Sequence, residues 1–325
     1  MLSHKNITRI ALAALCLLAS PLALAQAYPT KPVKLIVPFP PGGPTDIVGR
    51  IVASKLSDAL GQQFVVENRA GAGGTVGSEV ASQASADGYT LLYGSTSTLA
   101  MAPSLYRKLA YDPRKSFAPI SMVSSGPMLV AVNASVPANT LAELIALAKD
   151  KPGSLNYASA GNATPPHLAA EMFKSMAGVS LVHVPYKGGG PMVTDALGGQ
   201  IQVVLGDQAN LMPHVQTGKL RALAVATTKR SANAPAIPTI AESGLPGFDA
   251  TAWQGLVGPV GMNPDVIKKI NEAFNKVMTT PAVHDKLVAG GLEPMGGTPQ
   301  QFGRFIDAEI TKWTKIAKDV GVKAE

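Results

Sequence analysis

Apolar positions along the chain follow two alternating spacings. Short β-rich runs such as Val33–Val37 precede segments whose apolar residues recur every three or four positions, as in a helix buried on one face. The predicted strands cover residues 33–37, 64–67, 89–93, 128–132, 155–158, 182–184, 201–205 and 220–226. The predicted helices cover residues 46–60, 75–84, 141–149, 165–177, 264–278, 281–289 and 299–320, with another beginning at Met192. Strands that alternate with helices indicate an α/β fold with largely parallel sheets.

Capping residues mark where several of these helices begin. Thr45 is the predicted N-cap of the first helix. Asn263-Pro264 and Thr298-Pro299 each place a capping residue before a proline, which favours a helix that begins at the proline.

Two segments, residues 119–132 and 220–228, are placed where the chain could cross between two lobes. If both cross, residues 124–227 form one lobe, and residues 28–123 with 228–325 form the other. Such lobes enclose a cleft that can close on a ligand. The alternative is one contiguous doubly wound domain with a helical tail, although about 300 residues exceed what one core usually supports.

The first 27 residues have the pattern of a secretory signal peptide. Lys5 and Arg9 precede a short apolar run, and the small residues Ala25 and Ala27 form a cleavage site. A retained membrane anchor is the alternative, but the apolar run is well short of about 18 residues. We therefore expect export to the periplasm. The only cysteine, Cys16, lies in this segment, so the exported chain would have no thiol and no disulfide.

Composition narrows the class of partner. The formal net charge is +7, aromatic residues make up 5% of the chain, and no run of lysine and arginine occurs. Nucleic-acid binding is disfavoured because it needs a basic stripe with aromatic residues between the charges. A mild positive charge suits a small anionic ligand and equally suits solubility.

Glycine, proline and hydroxyl residues gather where predicted strands lead into helices. Ligands of open α/β sheets bind beyond the carboxyl ends of the strands, where helix starts offer free N–H groups and the positive end of the dipole. The candidate ligand-binding residues are Gly42, Gly43 and Thr45 after the first strand, Ser95 and Thr96 after the third, Ser159, Gly161, Asn162 and Thr164 after residues 155–158, Tyr186 before three glycines, and Asp207 and Gln208 after residues 201–205.

Some of these positions also have a plainer interpretation. The first loop could be a tight turn without a ligand, Lys187 an exposed lysine, and His167 a packing or capping residue. Asp46, in the first turn of its helix, would repel an anion if it pointed inward, so we expect it to point aside.

Catalytic and cofactor motifs are incomplete in this sequence. RAGAGGTVG resembles a dinucleotide fingerprint, but Val76 stands where the third glycine belongs. YASAG resembles the turn that carries a nucleophilic serine, but Tyr157 replaces its first glycine, and no histidine has a recognisable partner. Metal-binding motifs do not occur. We expect a binding protein with no catalytic residue, cofactor or metal; a secreted hydrolase using Ser159 is the alternative.

The segments PFPPGGPTDIVGR, NRAGAGGTVG, HVPYKGGGPM and GKLRALAVATTKR resemble the periplasmic receptors of tripartite tricarboxylate transporters, also called Bug receptors. The resemblance runs in order through nearly all of the chain after the signal peptide. It implies a type II periplasmic binding protein with two α/β lobes, a hinge and a closing cleft. We expect a monomer that hands a small organic carboxylate to a membrane carrier; a sensing receptor for a membrane signalling partner is the alternative.

The resemblance also implies that loop backbone and hydroxyl groups hold the carboxylate. It carries onto residues 39–46, residues 159–164 and Asp207 with its neighbour. This adds Phe39, Pro41 and Ala163 to the candidate ligand-binding residues. Many relatives have a bulky aromatic residue where this chain has Gly206, which suggests the hypothesis that the small residue leaves room for a larger ligand.

Overall fold

The computed structural model describes residues 28–323, so the predicted signal peptide lies outside the described residues. The strands form two separate sheets. They are β1 (Val33–Val37), β2 (Phe64–Asn68), β3 (Thr90–Ser95), β4 (Phe117–Gly126), β5 (Met128–Asn133), β6 (Asn156–Ser159), β7 (Val182–Pro185), β8 (Val203–Asp207), β9 (Leu220–Val225), β10 (Ala252–Pro259) and β11 (Glu293–Pro294). One sheet has the order β11-β4-β10-β3-β1-β2, and the other has the order β7-β6-β8-β5-β9. The alternative of one contiguous doubly wound domain is therefore wrong for this part of the chain.

Helices follow most of the strands. They are α1 (Pro44–Leu60), α2 (Thr75–Ser82), α3 (Ala102–Leu105), α4 (Leu141–Asp150), α5 (Pro165–Ala177), α6 (Gly189–Leu197), α7 (Gln208–Gln216), α8 (Pro264–Met278), α9 (Pro281–Ala289) and α10 (Pro299–Val320). The predicted bounds of α5, α8, α9 and α10 are confirmed. The prediction that Thr45 is the N-cap of α1 is wrong, because Gly43 is the N-cap and Pro44 is the first helical residue.

Both sheets are mixed, which corrects the expectation of largely parallel sheets. β1 is parallel to β2 and β3, and β6 is parallel to β7 and β8. β10, which the sequence pattern missed, lies antiparallel between β3 and β4. In the second sheet β5 is antiparallel to both β8 and β9. The parallel neighbours still bring the loops after β1 and β3 to one edge, and those after β6 and β8 to another.

The chain passes between the sheets twice. Only Pro127 separates β4 in the first sheet from β5 in the second. The chain leaves the second sheet after β9 and rejoins the first at β10. Both passages lie in or near the segments predicted to cross. The division into lobes at residues 123/124 and 227/228 stays a prediction.

The long helix α10 joins the two halves of the core. One continuous hydrophobic cluster contains Leu92 of the first sheet, Trp313 of α10 and Phe173 of α5. Helix α10 packs both on β4 of the first sheet and on α5 of the second half. This part of the apolar core is therefore shared between the sheets, whereas two smaller clusters each belong to one half.

A buried carboxylate fixes α10 to β10. Glu309 is 6% exposed and accepts hydrogen bonds from the indole Nε1 of Trp253 at 2.7 Å and of Trp313 at 3.0 Å. The same carboxylate pairs with Lys312, which also reaches Asp249 at 3.0 Å, shortly before β10. Two indole N–H groups thus depend on one acceptor.

Replacing this acceptor should destabilise the fold. Glu309→Ala leaves two buried indole N–H groups without a partner, and we expect it to lower the free energy of unfolding by about 2–4 kcal/mol. Urea unfolding measures this. Asp319→Ala on the same helix removes a half-exposed carboxylate paired with Lys315, and it should cost less than about 1 kcal/mol. Equal losses in the two variants would contradict the role of Glu309.

Candidate functional site

The candidate residues form two sets, one at the carboxyl edge of each sheet. β1 and β3 are parallel neighbours, so the loop after β1 lies beside Ser95. β6 and β8 are parallel neighbours, so the loop after Ser159 lies beside Asp207. The two halves meet near the second set, because a Cβ atom on Gly291, after α9, would lie 3.0 Å from the Cα atom of Ala209 in α7.

The first loop is held from behind by Asp46. Its carboxylate accepts hydrogen bonds from the backbone N–H of Gly42 at 2.9 Å, from Arg50 Nε at 2.9 Å and from Asn68 Nδ2 at 2.8 Å. Asn68 Nδ2 also donates to the carbonyl of Phe39 at 3.0 Å. Burial raises the pKa of Asp46, but the hydrogen bonds from Arg50, Gly42 and Asn68 outweigh it and hold the pKa below its ordinary value. Asp46 therefore points aside, as expected.

Two details of this loop differ from the sequence analysis. The N–H of Gly42 is occupied by Asp46, so it is not an unshielded donor. Asn68 was missed, although its position at the end of a strand parallel to β1 is a signal that places it beside the loop.

The glycines of RAGAGGTVG allow α2 to pack closely on this loop. A Cβ atom on Gly77 would lie 2.6 Å from the carbonyl oxygen of Arg69 and 2.9 Å from Pro38 Cα. A Cβ atom on Gly74 would lie 3.2 Å from Phe39 Cζ. The two fingerprint glycines are also closely packed, because a Cβ atom on Gly71 would lie 2.9 Å from Val76 Cγ2 and one on Gly73 would lie 2.7 Å from the hydroxyl oxygen of Tyr106.

Helix α1 begins without a side-chain cap. Its N-cap, Gly43, has φ −78° and ψ 166°, and no side chain of the described residues accepts a hydrogen bond there. The first N–H groups of a helix have no acceptor within the helix, so those of Gly43 and Thr45 are available as donors, while Pro44 has none. The hydroxyl of Thr45 lies 3.5 Å from Gln254 Nε2, and Gln254 Oε1 accepts from the hydroxyl of Tyr93 at 2.6 Å. Gln254 belongs to β10 and was not predicted.

The two hydroxyl residues after β3 have different surroundings. The hydroxyl of Thr96 accepts a hydrogen bond from the backbone N–H of Trp253 at 2.8 Å and donates to the carbonyl of Trp253 at 3.2 Å. The expectation that this hydroxyl is free to bind a ligand is therefore wrong. Ser95 is 8% exposed, and its Oγ atom has no hydrogen-bond partner among the described residues.

The loop after β6 is held by its own polar groups. The hydroxyl of Thr164 donates to the carbonyl of Gly161 at 2.7 Å, so Thr164 occupies the N-cap position of α5 without capping it. Ala163 has the left-handed φ of 58°, and its N–H donates to Nδ1 of His167 at 3.0 Å. His167 is therefore a buried residue that fixes the turn before α5, in line with the plainer interpretation of it as a packing or capping residue. Asn162 and, in the other loop, Pro41 are exposed.

The two loops share one local design. In each, the third residue of the helix accepts the N–H of the residue before the N-cap: Asp46 from Gly42, and His167 from Ala163. Both donors have positive φ, 81° and 58°. In each helix a proline occupies the first position. The turn is thus fixed from behind while the N-cap stays uncapped.

Ser159 contacts a histidine, which corrects the expectation that no histidine has a recognisable partner. Its Oγ atom lies 2.7 Å from Nε2 of His183. The ring of His183 stacks between His167 and Tyr157, with centroid distances of 4.1 and 4.7 Å. A hydrolytic triad also needs a carboxylate that accepts a hydrogen bond from the histidine. Among residues 28–323 no carboxylate hydrogen-bonds to His183; Glu171 instead accepts from the Tyr157 hydroxyl at 2.5 Å.

The histidine stack favours the neutral form of its members. Burial, with a smaller contribution from His183, lowers the pKa of His167 to about 4. Burial also lowers the pKa of His183. An unprotonated Nδ1 on His167 is what the hydrogen bond from Ala163 requires.

Asp207 and Gln208 stand at the end of β8 with unused acceptors. Asp207 is partly exposed, and within the described chain its carboxylate makes no hydrogen bond or ion pair. Burial raises its pKa. Gln208 is 1% exposed, and its backbone N–H donates to the carbonyl of Pro127 at 2.9 Å. Its side-chain Oε1 atom has no hydrogen-bond partner among the described residues.

Two other expectations for this edge change. The hydroxyl of Tyr186 donates to Asp195 at 2.7 Å, so only its ring is available as a wall. A Cβ atom on Gly206 would lie 2.9 Å from Met192 Cε and 3.4 Å from Leu211 Cδ1. Gly206 therefore faces packed side chains, and the hypothesis that it leaves room for a larger ligand is wrong.

Comparisons with known proteins agree over nearly the whole chain. A family model described as "Tripartite tricarboxylate transporter family receptor" matches residues 48–322. BugT of Bordetella pertussis is 38% identical over 307 residues, or 94% of each chain. The structure of R. palustris Rpa4515 with adipate is 35% identical, has a TM-score of 0.84 and matches over 92% of this chain and 100% of that one. MatC from Rhodopseudomonas palustris, with bound malate, is 30% identical, has a TM-score of 0.79 and matches over 89% and 99%.

The chain therefore belongs to the periplasmic solute receptors of the tripartite tricarboxylate transporter family, and it is a Bug-type member. This confirms the predicted family and the two-lobed α/β fold of a periplasmic binding protein. The protein is a solute receptor and not an enzyme. In the described part of the chain, no helix is long and apolar enough to cross a membrane, and no three His, Asp or Glu side chains are grouped to hold a metal.

The depressed pKa of His167 predicts an acid-sensitive fold. Between its ordinary pKa of 6.5 and about 4, the unfolded chain binds a proton at His167 that the folded chain does not. The free energy of unfolding should therefore fall by up to about 3 kcal/mol as the pH drops through this window. His167→Asn keeps an acceptor near Nδ1 but does not titrate, so it should lose this part of the pH dependence.

Urea unfolding at pH 7 and pH 4.5 tests this. His284→Asn changes an exposed histidine and is the matched control. A pH dependence of His167→Asn equal to that of wild type would contradict the assignment.

Proposed function

We propose that this receptor is exported to the periplasm, binds one small organic carboxylate between its lobes and delivers it to a tripartite tricarboxylate-type membrane carrier. In this proposal residues 28–123 and 228–325 form one lobe, and residues 124–227 form the other. The observation that carries it is the pair of uncapped helix starts, α1 and α5, at the carboxyl edges of the two sheets. Such starts favour an anion through free N–H groups and the helix dipole.

Each lobe supplies some of the hydrogen-bond donors that hold the carboxylate. In the first lobe the donors are backbone N–H groups at Gly43 and Thr45, since that of Gly42 is occupied. In the second they are backbone N–H groups at Asn162 and Thr164, because the prolines that begin α5 have none. Closure of the lobes brings both sets onto one carboxylate.

Other candidate residues form the walls of the site, fix its loops or contact the rest of the ligand. Phe39 and Tyr186 wall the cleft, and Ser159 fixes the second loop through His183. Asp207 and Gln208 contact the far end of the ligand. The adipate on Rpa4515 and the malate on MatC support a small carboxylate as the ligand class.

A thermal-shift screen tests the ligand class. The panel contains mono-, di- and tricarboxylates and aromatic acids, each beside its uncharged amide as control. A true ligand at about 100 times its dissociation constant should add about 2.7 kcal/mol of stability. Equal shifts from acids and their amides, or no shift from any acid, would overturn the proposal.

The first loop can be tested by removing one donor. The φ of Gly43, −78°, is compatible with proline, so Gly43→Pro should fold while it loses one N–H. A hydrogen bond to a charged group contributes about 1.5–3 kcal/mol, which corresponds to about tenfold to a hundredfold weaker binding. Isothermal titration calorimetry with the acid found in the screen measures this.

Gly43→Ala is the matched control for the added side chain. It keeps the N–H, and its Cβ atom would meet nothing closer than the carbonyl of Pro40 at 3.7 Å. We expect near wild-type affinity for this variant. Wild-type affinity in Gly43→Pro as well would show that this loop is not the anion site.

A further inference from the structure

Three polar groups at the two edges have no partner among residues 28–323. The Asp207 carboxylate makes no hydrogen bond or ion pair within the described chain, and the Oε1 atom of Gln208 is enclosed without a donor. Ser95 Oγ, at the end of β3 in the other lobe, is also enclosed without a partner in the part of the chain that the structure describes. Buried polar groups are normally hydrogen-bonded, so Gln208 Oε1 and Ser95 Oγ are groups that the described chain leaves unsatisfied, and the partly exposed Asp207 carboxylate adjoins the first of them in sequence.

These groups mainly accept hydrogen bonds. An ionised carboxylate and an amide oxygen accept only, while a hydroxyl both accepts and donates. A group with N–H or O–H would satisfy Asp207 and Gln208, whereas a second carboxylate would add another acceptor.

Of three cations in or after the candidate loops, two are engaged elsewhere and one is exposed. Arg50 is paired with Asp46, and Lys174 with Glu171. Lys187 is exposed on the loop after β7. Two carboxylates that share a poorly solvated site repel each other unless one takes up a proton.

We propose that the far end of the site, around Asp207 and Gln208, selects a hydrogen-bond donor, so that the ligand is a monocarboxylate with a hydroxyl or ammonium group at its other end. This inference rests on the proposed function, in which the helix starts hold the single carboxylate. In this inference Asp207 is the residue that makes the receptor bind such acids more tightly than dicarboxylates of the same length. Burial raises the pKa of Asp207, as expected for a carboxylate without a partner.

Calorimetry with ligands matched in length tests the inference. The four-carbon set is butyrate, 4-hydroxybutyrate, 4-aminobutyrate and succinate, and the six-carbon set is hexanoate, 6-hydroxyhexanoate, 6-aminohexanoate and adipate. Within the set that binds more tightly, the hydroxy or amino acid should bind wild type at least tenfold more tightly than the dicarboxylate. Comparison of the hydroxy acid with the amino acid of the same length shows whether the site prefers a hydroxyl or an ammonium group as the donor.

Asp207→Asn provides the second arm. It keeps the shape and adds an N–H donor, so the ratio of the two affinities should move at least tenfold toward the dicarboxylate. Asp150→Asn removes an exposed carboxylate of the same lobe and should keep the wild-type ratio. The melting temperature of each variant shows whether it is folded.

The outcomes separate the two proposals. If dicarboxylates bind wild type as well as the matched hydroxy and amino acids, or if Asp207→Asn leaves the ratio unchanged, the inference is wrong and the receptor still binds carboxylates. If none of the eight acids and no acid of the thermal-shift panel binds, the proposed function fails, and the inference fails with it.

Discussion

The first amide groups of a helix have no acceptor inside the helix, and the candidate site depends on where these amides are directed. In most helices a side chain at the N-cap takes one of them. Here α1 and α5 use the third residue instead, and that residue turns back to the amide before the N-cap. The turn is fixed, yet the amides at the N-cap stay free. An aspartate serves in one lobe and a neutral histidine in the other, so the geometry is shared although the chemistry differs.

An acidic residue beside an anion site needs a physical explanation. Asp46 stands in the first turn of α1, where its negative charge interacts favourably with the helix dipole but would repel an incoming carboxylate. Its charge is met by hydrogen bonds from Arg50, Asn68 and the amide of Gly42. The residue that was a concern in the sequence is therefore the residue that shapes the loop.

Local signals in the sequence predicted helices better than they predicted sheet partners. Pro165, Pro264 and Pro299 mark helix starts correctly because a proline at the first position is a property of a few neighbouring residues. The antiparallel insertion of β10 was missed because it depends on contacts with residues more than 100 positions away. The approach of His183 to Ser159, 24 positions away, was missed because it depends on the pairing of β6 with β7, which the local pattern of residues does not specify.

The core that runs from Leu92 through Trp313 to Phe173 has a consequence for the protein as a whole. Two lobes with separate interiors would be free to melt in two stages, but side chains of α10 contribute to both. Cooperative loss of structure in a single transition is the behaviour that such a shared interior favours. A solute that contacts only a few loop amides would then protect the entire molecule, including strands far from the cleft, against thermal denaturation.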